Sequence, residues 1–140
     1  MAKKTKSKII ITPEIKEIKK RNIKNNKRRG SYFERQIAKE LREIGFTGVV
    51  TSRSESKAMD DMKVDLIDKE NQLPFHAQIK RCIKYPNYIE IRKSCPLTDK
   101  EFVLFWNVQK TTESTFRSEG EVVVLDKKFF YKLIKNYKNE

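Results

Sequence analysis

The stretch that most narrows what this chain can fold into runs over residues 64–80. Val64-Asp65-Leu66-Ile67 and Phe75-His76-Ala77-Gln78-Ile79-Lys80 read as two short strands. The polar turn signal Lys69-Glu70-Asn71-Gln72, followed by Pro74, separates them, so the stretch is expected to form a hairpin. Successive side chains of a strand point to opposite faces, which puts Gln78 and Lys80 on one face and Ala77 and Ile79 on the other, toward a core. Asp65, on the neighbouring strand, completes a cluster with them.

An aspartate beside an amide oxygen and an ammonium suits work on a phosphodiester. Carboxylate and amide oxygens match hard divalent cations such as magnesium, which keep several waters and seldom have an all-protein cage. A lysine adds fixed positive charge where phosphoryl transfer needs positioning and electrostatic stabilisation. Each residue also has a plainer role: Asp65 to end a strand, Gln78 to face solvent, Lys80 to keep a sheet edge from pairing. Their convergence is what favours chemistry.

Composition adds a partner. The 140 residues are enough for one modest domain, residues 30–140, with a basic extension over residues 1–29. The net charge of +13 is uneven: residues 1–29 hold 12 basic and 2 acidic side chains, or +10, leaving +3 for the remainder. That asymmetry favours a polyanion, and nucleic acid over a membrane surface. The longest apolar run, residues 102–106, is too short to span a bilayer, so a soluble, intracellular, cytoplasmic protein is expected. Cys82 and Cys95 lack metal-ligand or CxxC spacing and read as reduced structural thiols.

In chain order, residues 1–8 form a lysine-rich tail. Thr12-Pro13-Glu14 opens a basic helix to about Asn22, with Ile15 and Ile18 as a thin apolar stripe. Residues 25–30 read as a linker that contains Lys27, Arg28 and Arg29. Ser31 and Glu34 have capping-box spacing and start the strongest helix, which runs to Ile44 and stops at Gly45. Glu34 also points within the sector of Ile37, Ala38 and Leu41, and an acid on a buried face needs a partner.

Residues 46–51 read as a strand and residues 52–57 as a hydroxyl-rich loop in which Ser52, Arg53, Ser54 and Lys57 suit phosphate contacts. Asp60 and Asp61 follow, Asp61 being the better supporting residue because it is nearer Asp65. His76 shares a face with Gln78 and is a candidate assistant. Arg81 and Lys84 extend a basic rim, with Tyr85 and Tyr88 at an exposed turn. A short helix over residues 88–94 precedes a buried strand over 101–108. A polar loop over 109–119 is placed to reach over a nucleic acid. A strand over 121–125 and a final helix opened by Asp126 complete the chain. The expected fold is α/β, a mixed central sheet flanked by helices.

Arg28-Arg29-Gly30-Ser31-Tyr32-Phe33-Glu34, Val64-Asp65 and Gln78-Ile79-Lys80 resemble the PD-(D/E)XK nuclease superfamily, with its restriction-endonuclease-like core, and within it the archaeal-type Holliday junction resolvases and their phage relatives. The resemblance covers residues 27 to about 133, and order and spacing carry it. It implies a homodimeric endonuclease that uses magnesium, with manganese able to substitute, to cut a four-way DNA junction symmetrically. By position, Glu34 matches the helix acid, Asp65 the metal-binding aspartate and Lys80 the active-site lysine. Glu34, Asp65, Gln78 and the carbonyl of Ile79 become the ligand set, and Ser52, Arg53 and Ser54 fall where the family has a loop implicated in substrate contact; with Lys27, Arg28, Arg29, Lys57 and Arg81, chosen for their charge, they are the expected DNA contacts. Val64 stands where the pattern has proline, and Gln78 where it has an acid, which leaves an oxygen ligand with one fewer charge. A nuclease acting on duplex, nicked or flap DNA, or a decayed nucleic-acid-binding module, are the alternatives.

Overall fold

A computed structural model describes residues 12–139. The tail over residues 1–8 lies outside the described residues, as does the side chain of Ile18.

One helix dominates the N-terminal part: α1 (Pro13–Glu43), 31 residues long. Thr12 caps it as expected, its hydroxyl accepting from the Ile15 N–H at 3.3 Å, with Pro13 in the first turn. The linker expected over residues 25–30 and the helix start expected at Ser31 are both corrected, because α1 runs through them without a break. Nucleating a second helix costs more than propagating the first through a single glycine, whose penalty is about 1 kcal/mol. Ser31 and Glu34 therefore have no helix start to cap. The helix ends where the sequence says it should, at Gly45, which has φ 118°.

The strand expected over residues 46–51 is shortened to β1 (Val49–Thr51), and the expected loop over residues 52–57 is replaced by two short helices, α2 (Ser52–Glu55) and α3 (Lys57–Asp61). β2 (Leu66–Asp68) pairs antiparallel with β1. The expected hairpin of β2 with β3 (Phe75–Cys82) does not form as a ladder. The two meet through one backbone bond, Asp65 N–H to Ala77 O at 2.8 Å, after which the chain turns away. The Asp68 carboxylate organises that turn, accepting from the N–H groups of Glu70, Gln72 and Leu73 at 3.0, 2.7 and 2.8 Å.

β3 pairs in parallel with β4 (Glu101–Thr111), the connection carrying α4 (Tyr88–Ser94) as expected. β4 turns into β5 (Phe116–Leu125), antiparallel, so the polar loop expected over 109–119 is the distal part of a hairpin instead. Its strands lengthen because each added residue gains ladder bonds. α5 (Lys127–Lys138) follows, capped by Asp126. The result is a mixed three-stranded sheet, β3-β4-β5, flanked by helices, with β1-β2 alongside.

Both faces of β3 and β4 are covered. Phe33, Ile37, Ala38 and Leu41 of α1 pack on Val49, Leu66, Ala77 and Ile79. Val64, Tyr88, Cys95, Phe102 and Leu104 form a second cluster. Tyr88, expected at the surface, is buried there and donates its hydroxyl to Phe102 O at 2.7 Å. No helix among the described residues is long and apolar enough to cross a membrane.

Candidate active site

The first strand residues of β3 fix the site through Asp65. Its N–H donates to Ala77 O, its Oδ2 accepts from the Ile79 N–H at 2.7 Å, and its O accepts from the Ser52 N–H at 2.9 Å. Two bonds fix the Asp65 main chain and a third, from the Ile79 N–H, holds its carboxylate against the outer edge of β3. Burial raises its pKa, opposed by the Ile79 hydrogen bond and the charge of Lys80.

Glu34 arrives from α1, buried to 4% exposure as its helix sector requires. Burial and the negative charge of Asp65 push its carboxyl from 4.5 to about 7, opposed by Arg53. Arg53 Nε stands 3.0 Å from Glu34 Oε2, within ion-pair distance but outside the angular range of a hydrogen bond. Arg53 is thus the cation that Glu34 meets in the free protein.

Gln78 is buried, and its Oε1 has no hydrogen-bond partner. Ala77 and Ile79 face α1, whereas Gln78 and Lys80 lie over the register of Leu104 and Trp106. Among the described residues no three His, Cys, Asp or Glu side chains cluster as a metal site. The oxygens available are two carboxylates, one unpartnered amide and the Ile79 carbonyl. That all-oxygen set fits a hard divalent cation in kind.

Two clefts flank these residues. One, of about 580 Å³, is lined by Glu34, Arg53, Ile79, Lys80 and Arg81 and continues to Lys84, Gln109 and Phe116. The other, of about 670 Å³, is lined by Arg28, Arg29, Tyr32 and Arg35 of α1 together with Arg81 and Asn107. Arg81 belongs to both. Burial and the charge of Arg29 hold its pKa below the usual guanidinium value, a sign of how closely the cationic groups are crowded.

The expected DNA contacts divide. Arg28, Arg29, Arg53 and Arg81 line the clefts; Lys27 is exposed on α1 and Lys57 is exposed at the start of α3. Ser52 is fully buried, which takes its hydroxyl from the surface, and Ser54 Oγ donates to Thr51 O at 2.8 Å. His76 is occupied elsewhere, its Nε2 2.8 Å from Asp99 Oδ1. Asp60, and not Asp61, is the neighbouring acid whose charge reaches both Glu34 and Asp65. Tyr32 and Arg35 were not singled out by sequence. The signal was the spacing Arg28, Tyr32, Arg35 along one helical stripe, visible only if the helix is carried through Gly30.

A helix acid, an aspartate at a sheet edge and a Gln-x-Lys strand beside it, set on a mixed sheet with flanking helices, define a nuclease core of the PD-(D/E)XK superfamily. The family model described as archaeal Holliday junction resolvase (Hjc) matches residues 25–99, and the chain belongs to that family. No curated protein and no solved structure gives a match. The matched residues include Glu34, Asp65, Gln78 and Lys80 and end before β4.

Proposed function

We propose that the chain is a magnesium-dependent, structure-specific endonuclease that resolves four-way DNA junctions by paired phosphodiester hydrolysis, acting as a homodimer, with manganese able to replace magnesium. The observation that carries this reading is the pair of buried carboxylates at the β3 edge: Asp65, held by the Ile79 N–H, and Glu34, which feels the Asp65 charge and lines a cleft with Arg53, Ile79, Lys80 and Arg81. Asp65, Glu34, Gln78 and the Ile79 carbonyl would hold the cation. When bound, it supplies a water of lowered pKa and polarises the scissile phosphate.

The protein's own groups do the rest. The Ile79 N–H keeps the Asp65 carboxylate aimed at the edge. Lys80 stabilises negative charge developing on the phosphate, as a preorganised cation does best in a partly buried site. Arg53, partly exposed beside Glu34 in the cleft, would offer its remaining guanidinium N–H groups to a phosphate oxygen. Arg28, Arg29 and Arg81 grip the flanking backbone, an affinity that falls with salt. The basic extension over residues 1–29 adds to that grip.

A homodimer is supported by the surface formed by β5 and α5. Among the described residues β5 is the edge strand, paired on one side only, with Val122 and Val123 exposed, and α5 exposes Phe130, Leu133 and Ile134. Such an apolar, edge-bearing surface is unusual on a monomer, and a second copy across a two-fold axis would cover it and present two active sites to opposed strands.

The test is cleavage of a labelled four-way junction beside a linear duplex of the same sequence, with magnesium or EDTA and with Asp65→Asn. Paired symmetric cuts confined to the junction, lost in EDTA and in the variant, are expected. Cutting of both substrates would remove the junction specificity, and binding without cutting would make this a decayed DNA-binding domain.

A further inference from the structure

Beyond Val108 the β4–β5 ladder slips. Val108 pairs with Gly120 but Gln109 pairs with Ser118, leaving Glu119 as the extra residue of a bulge. Bulges re-aim side chains near functional sites. Ser118 Oγ here donates to Asn107 Oδ1 at 2.7 Å, Gln109 Nε2 donates to the same oxygen, and Asn107 Nδ2 donates to Glu121 Oε1 at 3.4 Å. The Glu121 carboxylate can only accept, so it turns Asn107 Nδ2 toward itself and Asn107 Oδ1 toward Gln109, whose nitrogen therefore faces Asn107 and whose oxygen faces away.

That oxygen has no partner among the described residues and is itself buried, Gln109 being only 4% exposed. A buried acceptor left unpaired is a standing cost unless a ligand relieves it. Gln109 lines the catalytic cleft together with Phe116, Ile83 and Lys84. Phe116 and Ile83 are 42% and 47% exposed. Gln109 lies four residues beyond Phe105, the register partner of Ile79, or roughly 13 Å along the strand. This end of the cleft is therefore separate from the proposed metal ligands, and Gln109 and Phe116 lie beyond the residues matched by the family model, whereas Ile83 and Lys84 lie within them.

Its chemistry narrows the ligand. A phosphate has no hydrogen to give Gln109 Oε1, and neither does a deoxyribose within a strand. A nucleobase has both an N–H edge and a flat apolar face. We propose that this end of the cleft is a subsite for one unstacked nucleobase a few nucleotides from the scissile phosphate. Phe116 takes the ring face, Gln109 Oε1 accepts from an amino or ring N–H, and Lys84 and Arg81 hold the adjoining phosphates. Every base has such an N–H, and a paired amino group still keeps one hydrogen free in a groove; what a duplex hides is the ring face, which stacking covers. The subsite consequently reads whether a base is unstacked, not which base it is, and adds to selection of branched DNA. This rests on the nuclease reading above.

The experiment is an abasic scan. A four-way junction carries one abasic site at a time at each position within four nucleotides of the branch, and Kd is measured in EDTA for the wild type, Gln109→Met and Phe116→Ala. One position is expected to weaken wild-type binding by about tenfold, the scale of losing one stacked base. Both variants should bind the intact junction more weakly and no longer sense that position. Phe116→Ala changes an exposed side chain and keeps the test open if Gln109→Met unfolds. A flat scan with junction binding retained, or variants that keep the abasic penalty, would overturn the subsite alone. Failure to bind any DNA would overturn the nuclease reading with it.

Discussion

Replacing Glu34 by glutamine removes a charge that the free protein holds at a cost. The folded-state pKa of Glu34 is raised, so the folded chain binds its proton more tightly than the unfolded chain does. The cost of ionisation is absent below about pH 4.5, grows as pH rises, and is complete above about 7. Lifting a carboxyl from 4.5 to about 7, at about 1.4 kcal/mol per pH unit, makes that cost about 3 kcal/mol. In EDTA, Glu34→Gln should therefore match the wild type at pH 4.5 and exceed it at pH 8 by up to about 3 kcal/mol, or about 10 °C in melting temperature. Urea unfolding of both proteins across that range measures it. Saturating magnesium at pH 8 should narrow or reverse the difference, because a cation at 100 times its Kd adds about 2.7 kcal/mol to the protein that binds it. A stability difference that does not change with pH, or a variant less stable at pH 8, would refute the argument that Glu34 is a desolvated charge that Arg53 compensates only in part.

Gln78→Glu restores a carboxylate to the ligand set, and calorimetry should find magnesium binding roughly tenfold tighter, since ligand charge tunes affinity for hard cations; an unchanged affinity would remove Gln78 from the site. Gly48→Ala should destabilise the fold by about 2 kcal/mol in urea unfolding, because its Cβ would stand 2.7 Å from Asp68 Oδ1 and 2.8 Å from the Glu70 nitrogen. Gly30→Ala, where a Cβ meets nothing within 4 Å, should stabilise the chain by about 0.5–1 kcal/mol if α1 is continuous there. A loss of stability would point back to a break at that glycine.

The elements whose signals are local were readable from sequence. Thr12-Pro13 and Asp126 cap helices, Gly45 stops one, and residues 88–94 form the short helix between parallel strands. The periodicity that put Glu34 on the face of Ile37, Ala38 and Leu41 was also sufficient, since all four are buried. Local signals failed where two of them competed. Ser31 and Glu34 make a capping box only if a helix begins there, and a helix already under way overrides it, which also concealed the stripe of Arg28, Tyr32 and Arg35. Residues 109–119 looked like a loop because their side chains are polar, yet backbone pairing with a partner strand decides a hairpin.

The order Glu34, Asp65, Gln78, Lys80 was in the sequence, and with it the oxygen-rich chemistry, because residue type and strand alternation fix which donors exist. Which of them meet was settled by tertiary structure. Asp65 reaches β3 by hydrogen bonds to Ala77 and Ile79 and not by a hairpin ladder, Arg53 arrives on Glu34 from a helix expected to be a loop, and Asp60 takes the place expected of Asp61. The buried Asn107–Gln109 pair lies on one strand, but the Ser118 hydroxyl that joins it arrives there through a bulge in the β4–β5 pairing. A register slip between strands is a property of the pairing, and no single strand's sequence contains it.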